Sequence, residues 1–352
     1  MPTTVFFATN RRRTGNGTRP EHYAGETGPA GQPGRLTFGQ ARVSTPDLAG
    51  LTPGQLEELS RIAEDDMDAA MQDDLAGGRN LLIFLHGFAN SFTDSITRAA
   101  FNRDWLAASG VAGADCTVAS FSWPSQGVTV NPGDVVPGTM TLVLSLAILA
   151  LTGHTDSPLA NAYRADQRAA ETSAGDIVGY LDRLRPVFAK VRRGGGRVFL
   201  LAHSMGNFAL QSALQQWDAQ GLPRAALFDE AISVAADTAW AEGGGGPAWL
   251  RALRKVSGRV SLYHSAGDDI LRLSQVVNGT QRLGRSGPID RTDVAAYPPA
   301  TFRLVDCSGV VDTGPGQTID SGHQYYRRVP AVRDDMARIL DGKGRGGRSV
   351  LV

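Results

Sequence analysis

Ser204, two adjacent aspartates at 268 and 269, and His323 are the residues of this 352-residue chain whose types and order could do chemistry together. A free serine hydroxyl is a weak nucleophile. A neighbouring imidazole must take its proton during attack and return it to the leaving group. The imidazole in turn needs a carboxylate that fixes its tautomer and stabilises its charged form. Attack on a carbonyl makes an oxyanion, and backbone N–H groups must meet it. Asp268 is the favoured acid; Asp269 beside it and Asp237 one strand earlier are the alternatives.

Ser204 sits in "AHSMG", residues 202–206, after the apolar run "VFLL". A nucleophile turn of pattern G-x-S-x-G joins a strand to a helix. The turn is tight and wants small residues two before and two after the serine. Gly206 keeps the second, and Ala202 stands in for the first. His203 is read as a turn neighbour, because His323 lies where the order serine, acid, histidine puts the base. The Met205 N–H, directly after the nucleophile, is one expected oxyanion donor. The other is the Phe88 N–H in "HGF", residues 86–88, where Gly87 lets the chain turn sharply. His86 is read as structural.

The elements that must position these groups alternate along the chain. Apolar runs at 4–8, 81–86, 116–125, 197–202, 228–236, 259–269 and 301–309 read as strands. Five of the six residues 81–86 are large and apolar, as in a strand buried on both faces of a parallel sheet. Helical patterns fill 52–72, 91–109, 158–192, 206–219 and part of 323–340, the first opening on Thr52 and Pro53. Strands separated by helices imply βαβ units and a parallel sheet. Ligands of such sheets sit beyond the carboxyl ends of the strands. The glycine- and proline-rich 14–34 reads as irregular surface loop, and 14–50 and 126–160 as excursions from a single domain spanning 1–341. "MTLVLSLAILAL", residues 140–151, is apolar all round and reads as a core helix or as a cap or lid over an acyl-binding pocket. The tail 342–352 reads as mobile.

Lysine plus arginine, 35, equals aspartate plus glutamate, 35, so the formal net charge is zero. That removes any global electrostatic argument for binding nucleic acid or an anionic membrane. The run Arg11-Arg12-Arg13 reads as a solvated or locally salt-bridged loop. Cys116 and Cys307 fit neither a disulfide framework nor a zinc site and read as buried free thiols. The six histidines show no HExxH or paired ligand spacing, so neither a metal nor another cofactor is expected. No run reaches the roughly 18 apolar residues of a membrane span. The short apolar run ahead of the N-terminal arginines does not read as a secretory signal, which makes a cytoplasmic location the default expectation.

The stretches "VFFATNRR", "FLHGFANSF", "FSWPS", "LLAHSMGN", "LYHSAGDDILRLS" and "GHQYY", spread over residues 5–326, resemble the α/β-hydrolase superfamily. Within it they are most similar to an uncharacterised bacterial group known only as a domain of unknown function. The resemblance implies an α/β fold, with a mostly parallel central sheet and helices on both faces. It also implies a Ser204, Asp268, His323 triad, in the chain order that α/β-hydrolases use. Asp269 departs from the group, which tends to carry an aromatic or basic residue there. The expectation is a metal-independent serine hydrolase acting on a small-molecule ester, with an apolar acyl chain if 140–151 is a lid. The same triad would serve amide or thioester cleavage or acyl transfer, and a non-catalytic binding protein could keep the fold.

Overall fold

The computed structural model describes residues 1–28, 36–125, 158–221, 223, 225–312, 322–344 and 346–352. The apolar stretch 140–151, and most of the excursion 126–160, lie outside the described residues. The strands are β1 Thr3–Thr9, β2 Arg11–Arg13, β3 Tyr23–Thr27, β4 Thr37–Val43, β5 Leu56–Ile62, β6 Leu81–Leu85, β7 Thr117–Ser122, β8 Val198–His203, β9 Phe228–Val234, β10 Ser257–His264, β11 Phe302–Asp306 and β12 Gly347–Val350. The helices, among the described residues, are α1 Met67–Ala70, α2 Phe92–Ala107, α3 Pro158–Thr172, α4 Ala174–Arg183, α5 Arg185–Arg193, α6 Met205–Gln220, α7 Ala248–Lys255, α8 Asp269–Asn278, α9 Leu283–Ser286 and α10 Pro330–Leu340. None is long and apolar enough to cross a membrane.

Ten strands form one sheet in the order β12-β11-β10-β9-β8-β6-β7-β1-β4-β5. From β1 to β12 every neighbouring pair is parallel. Among the described strands of this sheet only β4 is reversed, antiparallel to both β1 and β5. The apolar runs explain the burial, because successive side chains of a strand face opposite sides. Leu81, Ile83, Leu85 and Leu200 join a core against α3 to α7, with Tyr180, Phe188, Leu210 and Trp249. Leu82, Phe84, Phe199 and Leu201 join the opposite core against α2 and α10, with Phe92, Ile96, Val332 and Met336. The mostly parallel sheet with helices on both faces is the architecture the resemblance implies.

Four local readings differ from the structure. The helix expected over 52–72 is chiefly a strand, β5, and only Met67–Ala70 is helical. Leu56, Leu59 and Ile62 recur every third residue, which resembles a helix stripe. A register shift opposite Arg42/Val43 makes that spacing work in a strand, placing Leu56 and Leu59 against one core and Ile62 against the other. Ladder hydrogen bonds to β4 then outweigh helix propensity. The single helix expected over 158–192 is three, α3 to α5. Pro186, with no N–H to donate, lies in the first turn of α5, just past the break at Leu184. The region 14–34 holds β3, which pairs with β2 as a hairpin, and β4 lies in the looser region 14–50. The expected mobile tail contributes β12, paired in parallel with β11 from Arg303↔Gly347 to Asp306↔Val350.

Candidate active site

Ser204 ends β8 and heads α6 with φ 55° and ψ −126°. A non-glycine residue at positive φ is strained and persists only where its surroundings over-determine it. Here they do. The Ser204 N–H donates to Val234 O at 3.0 Å, and Ser204 O accepts from Asn207 N at 3.0 Å and Asp237 N at 3.2 Å. Asn207, fully buried, donates its amide to Ala202 O at 2.9 Å and Val234 O at 3.2 Å, and takes the Ser233 hydroxyl at 2.6 Å. A Cβ at Gly206 would stand 2.4 Å from Leu85 O and 2.6 Å from His86 O, so α6 can pass β6 only with glycine there. Ala202 is buried in the sheet core, where its methyl packs in place of the motif's first glycine.

Asp268 and His323 meet directly. Asp268 caps α8, its Oδ1 accepting from the Leu271 N–H at 2.8 Å. That leaves Oδ2 for His323 Nδ1, at 2.7 Å. A carboxylate oxygen on Nδ1 places the ring proton there and leaves Nε2 with its lone pair. Burial raises the Asp268 pKa above the ordinary aspartate value, against the pull of His323 and the Leu271 N–H. The histidine loop leans on the acid loop: Gly322, at φ 76°, would put a Cβ 2.2 Å from Gly267 O. Buried Asp312 holds the backbone on both sides of His323, its Oδ2 accepting from Gly322 N and Gln324 N at 3.2 Å each. The elbow adjoins this loop, with the His203 ring 4.8 Å from the His323 ring and His203 Nε2 3.3 Å from His323 O. His203 is fully desolvated, which holds its pKa well below the ordinary histidine value.

The other two acids stand elsewhere. Asp237 is buried and ion-paired to Arg282 Nε at 2.8 Å, and its second oxygen accepts from the Tyr163 hydroxyl at 2.7 Å. Asp269 is exposed and pairs with Arg272 at 3.2 Å.

Met205 opens α6, so its N–H is among the first-turn donors that have no partner within the helix. Phe88 follows β6 in a loop that abuts Ser204: a Cβ at Gly87 would lie 2.9 Å from Ser204 Cβ. His86 is buried and stacked on Trp123, ring centroids 4.9 Å apart and planes 5° apart. Its Nδ1 lies 3.0 Å from Gly87 O, which makes it the donor. Burial and the nearby Arg11 charge push the His86 pKa down to about 3, so the ring is neutral at ordinary pH.

The arginine run needs correcting. Arg12 pairs with Glu26 at the surface, as a solvated arginine would. Arg11 is buried, with 2% of its surface exposed, beneath the loop that carries Phe88. Burial pushes its pKa down to about 9 against the charges of Asp166 and Asp94, so it is still a cation at neutral pH. Asn90 and Asp312 are residues near the site that the sequence reading passes over, and Arg11 is one it places in solvent. The available signal for Arg11 was its place directly after the buried run of β1, in phase with a chain entering the core. Among the described residues no group of three histidine, cysteine or acidic side chains could hold a metal ion.

A strained serine at one strand end, with an acid and a histidine paired beyond later ones, is the division of labour of the α/β-hydrolase class. Residues 63–340 match the family described as "Alpha/beta hydrolase of unknown function (DUF900)", and the chain belongs to that family. No curated protein matches it. Similar solved structures include carboxyl esterase 2 (TmelEST2) from the mycorrhizal fungus Tuber melanosporum. That likeness has 9% identity over 97% of this chain and 79% of the esterase, with a TM-score of 0.29. Another is the HSL-homolog EstE7 from a metagenome library, at 11% identity over 89% of this chain and 74% of that one, with a TM-score of 0.23. Likenesses this loose carry no argument about chemistry.

Proposed function

We propose that the chain is a serine hydrolase that cleaves carboxylic esters through an acyl-enzyme. The observation that carries this reading is the 2.7 Å bond between His323 Nδ1 and buried Asp268, on the sheet end where Ser204 is held at φ 55°. In this reading Ser204 Oγ attacks the ester carbonyl and its proton passes to His323 Nε2. The carbonyl π electrons move onto oxygen, where the Phe88 and Met205 N–H groups receive the charge. Collapse breaks the C–O bond, and the leaving alkoxide takes the proton from His323. Water then attacks the acyl-enzyme with His323 as base, and the acid product leaves with Ser204 restored. Asp268 keeps the imidazole in the tautomer that both halves need.

A fluorophosphonate probe tests the reading without knowledge of the substrate. Ser204 Oγ bonds phosphorus as fluoride leaves and the serine proton goes to His323. The wild type is expected to label and Ser204→Ala to remain unlabelled. A folded wild type that stays unlabelled would overturn the proposal and favour a binding protein on this fold. Short and long acyl esters, amides and thioesters, compared by kcat/KM, then separate the bond types that one triad can serve.

A further inference from the structure

We propose that Asn90, seated by the buried Arg11 guanidinium, is a positioning residue that turns the Gly87–Phe88 peptide so that the Phe88 N–H faces the reacting carbonyl. The proposal rests on the serine-hydrolase reading and names how one of its two oxyanion donors is oriented.

Among the described residues the Arg11 guanidinium makes five hydrogen bonds, all to uncharged acceptors. Its Nη2 donates to Asn90 O at 2.8 Å and Trp123 O at 2.7 Å. Nη1 donates to Ser125 O at 3.2 Å and Ala24 O at 3.4 Å, and Nε to Ser122 Oγ at 3.0 Å. A desolvated cation is costly and tolerated only when its donors are satisfied. Here the satisfaction comes chiefly from the turns that follow β6 and β7, which the planar fork ties to the start of β2.

Asn90 is the link from that cation to the site. Its carbonyl is held by Arg11, and its N–H donates to Ser125 Oγ at 3.1 Å. Ser125 Oγ in turn bonds Asp166. With its backbone held at both polar atoms, Asn90 turns its Nδ2 back on the loop, donating to Gly87 O at 2.9 Å and Phe88 O at 2.8 Å. His86 Nδ1 supports the same Gly87 oxygen at 3.0 Å.

A trans peptide points its C=O and its N–H in opposite directions. Drawing Gly87 C=O toward Asn90 therefore aims the Phe88 N–H the other way, out of a peptide that abuts Ser204. The next peptide obeys the same constraint: Phe88 C=O is drawn to Asn90, and the Ala89 N–H meets Asp166 Oδ2 at 3.2 Å. Ala89 sits at φ 55°, a conformation an alanine leaves unless it is held. Without the Asn90 amide, Phe88 O loses its donor and Gly87 O keeps only His86 Nδ1, so the strained loop has a route to relax by a peptide flip. The donor would then turn away while the fold stays intact.

The experiment measures the second-order rate of fluorophosphonate labelling of Ser204 in the full chain. Phosphonylation puts an oxygen where the oxyanion would stand. Asn90→Leu and Asn90→Asp keep the side-chain size and remove the donated hydrogens. Each is expected to slow labelling by about 100-fold, the scale of one oxyanion donor, at temperatures well below its own Tm. Arg11→Lys keeps the charge without the fork and is expected to slow labelling by about 10-fold, for a cation that no longer seats Asn90. Met336→Ala, a cavity in α10 away from the site, serves as an equally destabilised control and is expected to label at the wild-type rate. Labelling of both Asn90 variants within about 3-fold of wild type would overturn the inference and leave the hydrolase reading standing. So would slowing matched by Met336→Ala, which reports mere loosening. Should the Asn90 variants fail to fold, the Arg11→Lys rate against the same control decides. An unlabelled wild type would instead sink the hydrolase reading itself, and the inference with it.

Discussion

Asp268 divides its two oxygens between a helix cap and an imidazole, and it does so fully buried. Its pKa is raised by that burial. The folded chain therefore holds this proton to a higher pH than the unfolded chain, and native stability falls as pH rises through the raised value. Above that window the charged carboxylate is a stability cost, one that the proposed orienting role toward His323 would explain. Asp268→Asn is expected to lower the labelling rate or kcat by about 10³–10⁴-fold, since the wrong tautomer follows. Its Tm at neutral pH should equal or exceed that of wild type; a clear fall in Tm would contradict the burial argument. Asp237 presents the opposite case, a buried carboxylate compensated by Arg282. Arg282→Met strands that charge and should cost about 3–5 kcal/mol in urea unfolding. An unchanged midpoint would show that the pair carries no such weight. At this scale much was legible: the serine turn, His323 and the three acids all stand out by type and order. Among the acids the sequence favoured Asp268 and left Asp269 and Asp237 open, because 268 and 269 are neighbours in sequence; their fates part only in the fold, one capping α8 and one in solvent.

Elements decide how firmly those residues are offered. The elbow has α6 starting directly at Met205, and the backbone around His323 is held by Asp312, which follows β11 in the chain. β12 covers the outer edge of β11, with Leu351 N also donating to Asp306 O at 2.8 Å. Truncation after residue 346 would uncover that row of unpaired backbone groups. It is expected to lower Tm by roughly 5 °C and to promote self-association by light scattering. A truncated chain with wild-type Tm and no association would deny β12 this role. β12 was hard to read because its glycine- and arginine-rich segment carries almost no strand signal of its own. The neighbouring ladder supplies the stability. β5 was hidden for the converse reason, since its three-residue spacing imitates a helix until a bulge in the pairing with β4 is seen.

On the scale of the whole molecule, one twisted layer of strands separates two apolar cores, and both cysteines lie within the core on the α2 and α10 side. Cys116 and Cys307 are free and buried. Burial pushes the Cys116 thiol up to about 12 and Cys307 higher still, so neither offers a thiolate at neutral pH. Iodoacetamide is expected to leave the native protein unmodified and its fluorophosphonate labelling intact. Denaturation should expose both thiols. Rapid native alkylation of either, followed by mass spectrometry, would contradict this packing.

The sequence by itself determined the class of fold, the serine turn and the residue types at each strand end. Those are consequences of local patterns: apolar runs, alternation with helices, and small residues beside a serine. Tertiary structure alone decided the hydrogen-bond partners. It set Asp268 rather than Asp237 on His323, put Asp312 astride the histidine, and buried Arg11 under Asn90, 79 residues away in the chain. A hydrogen bond depends on direction and on the last ångström of approach. Those are fixed only when the sheet brings distant segments together.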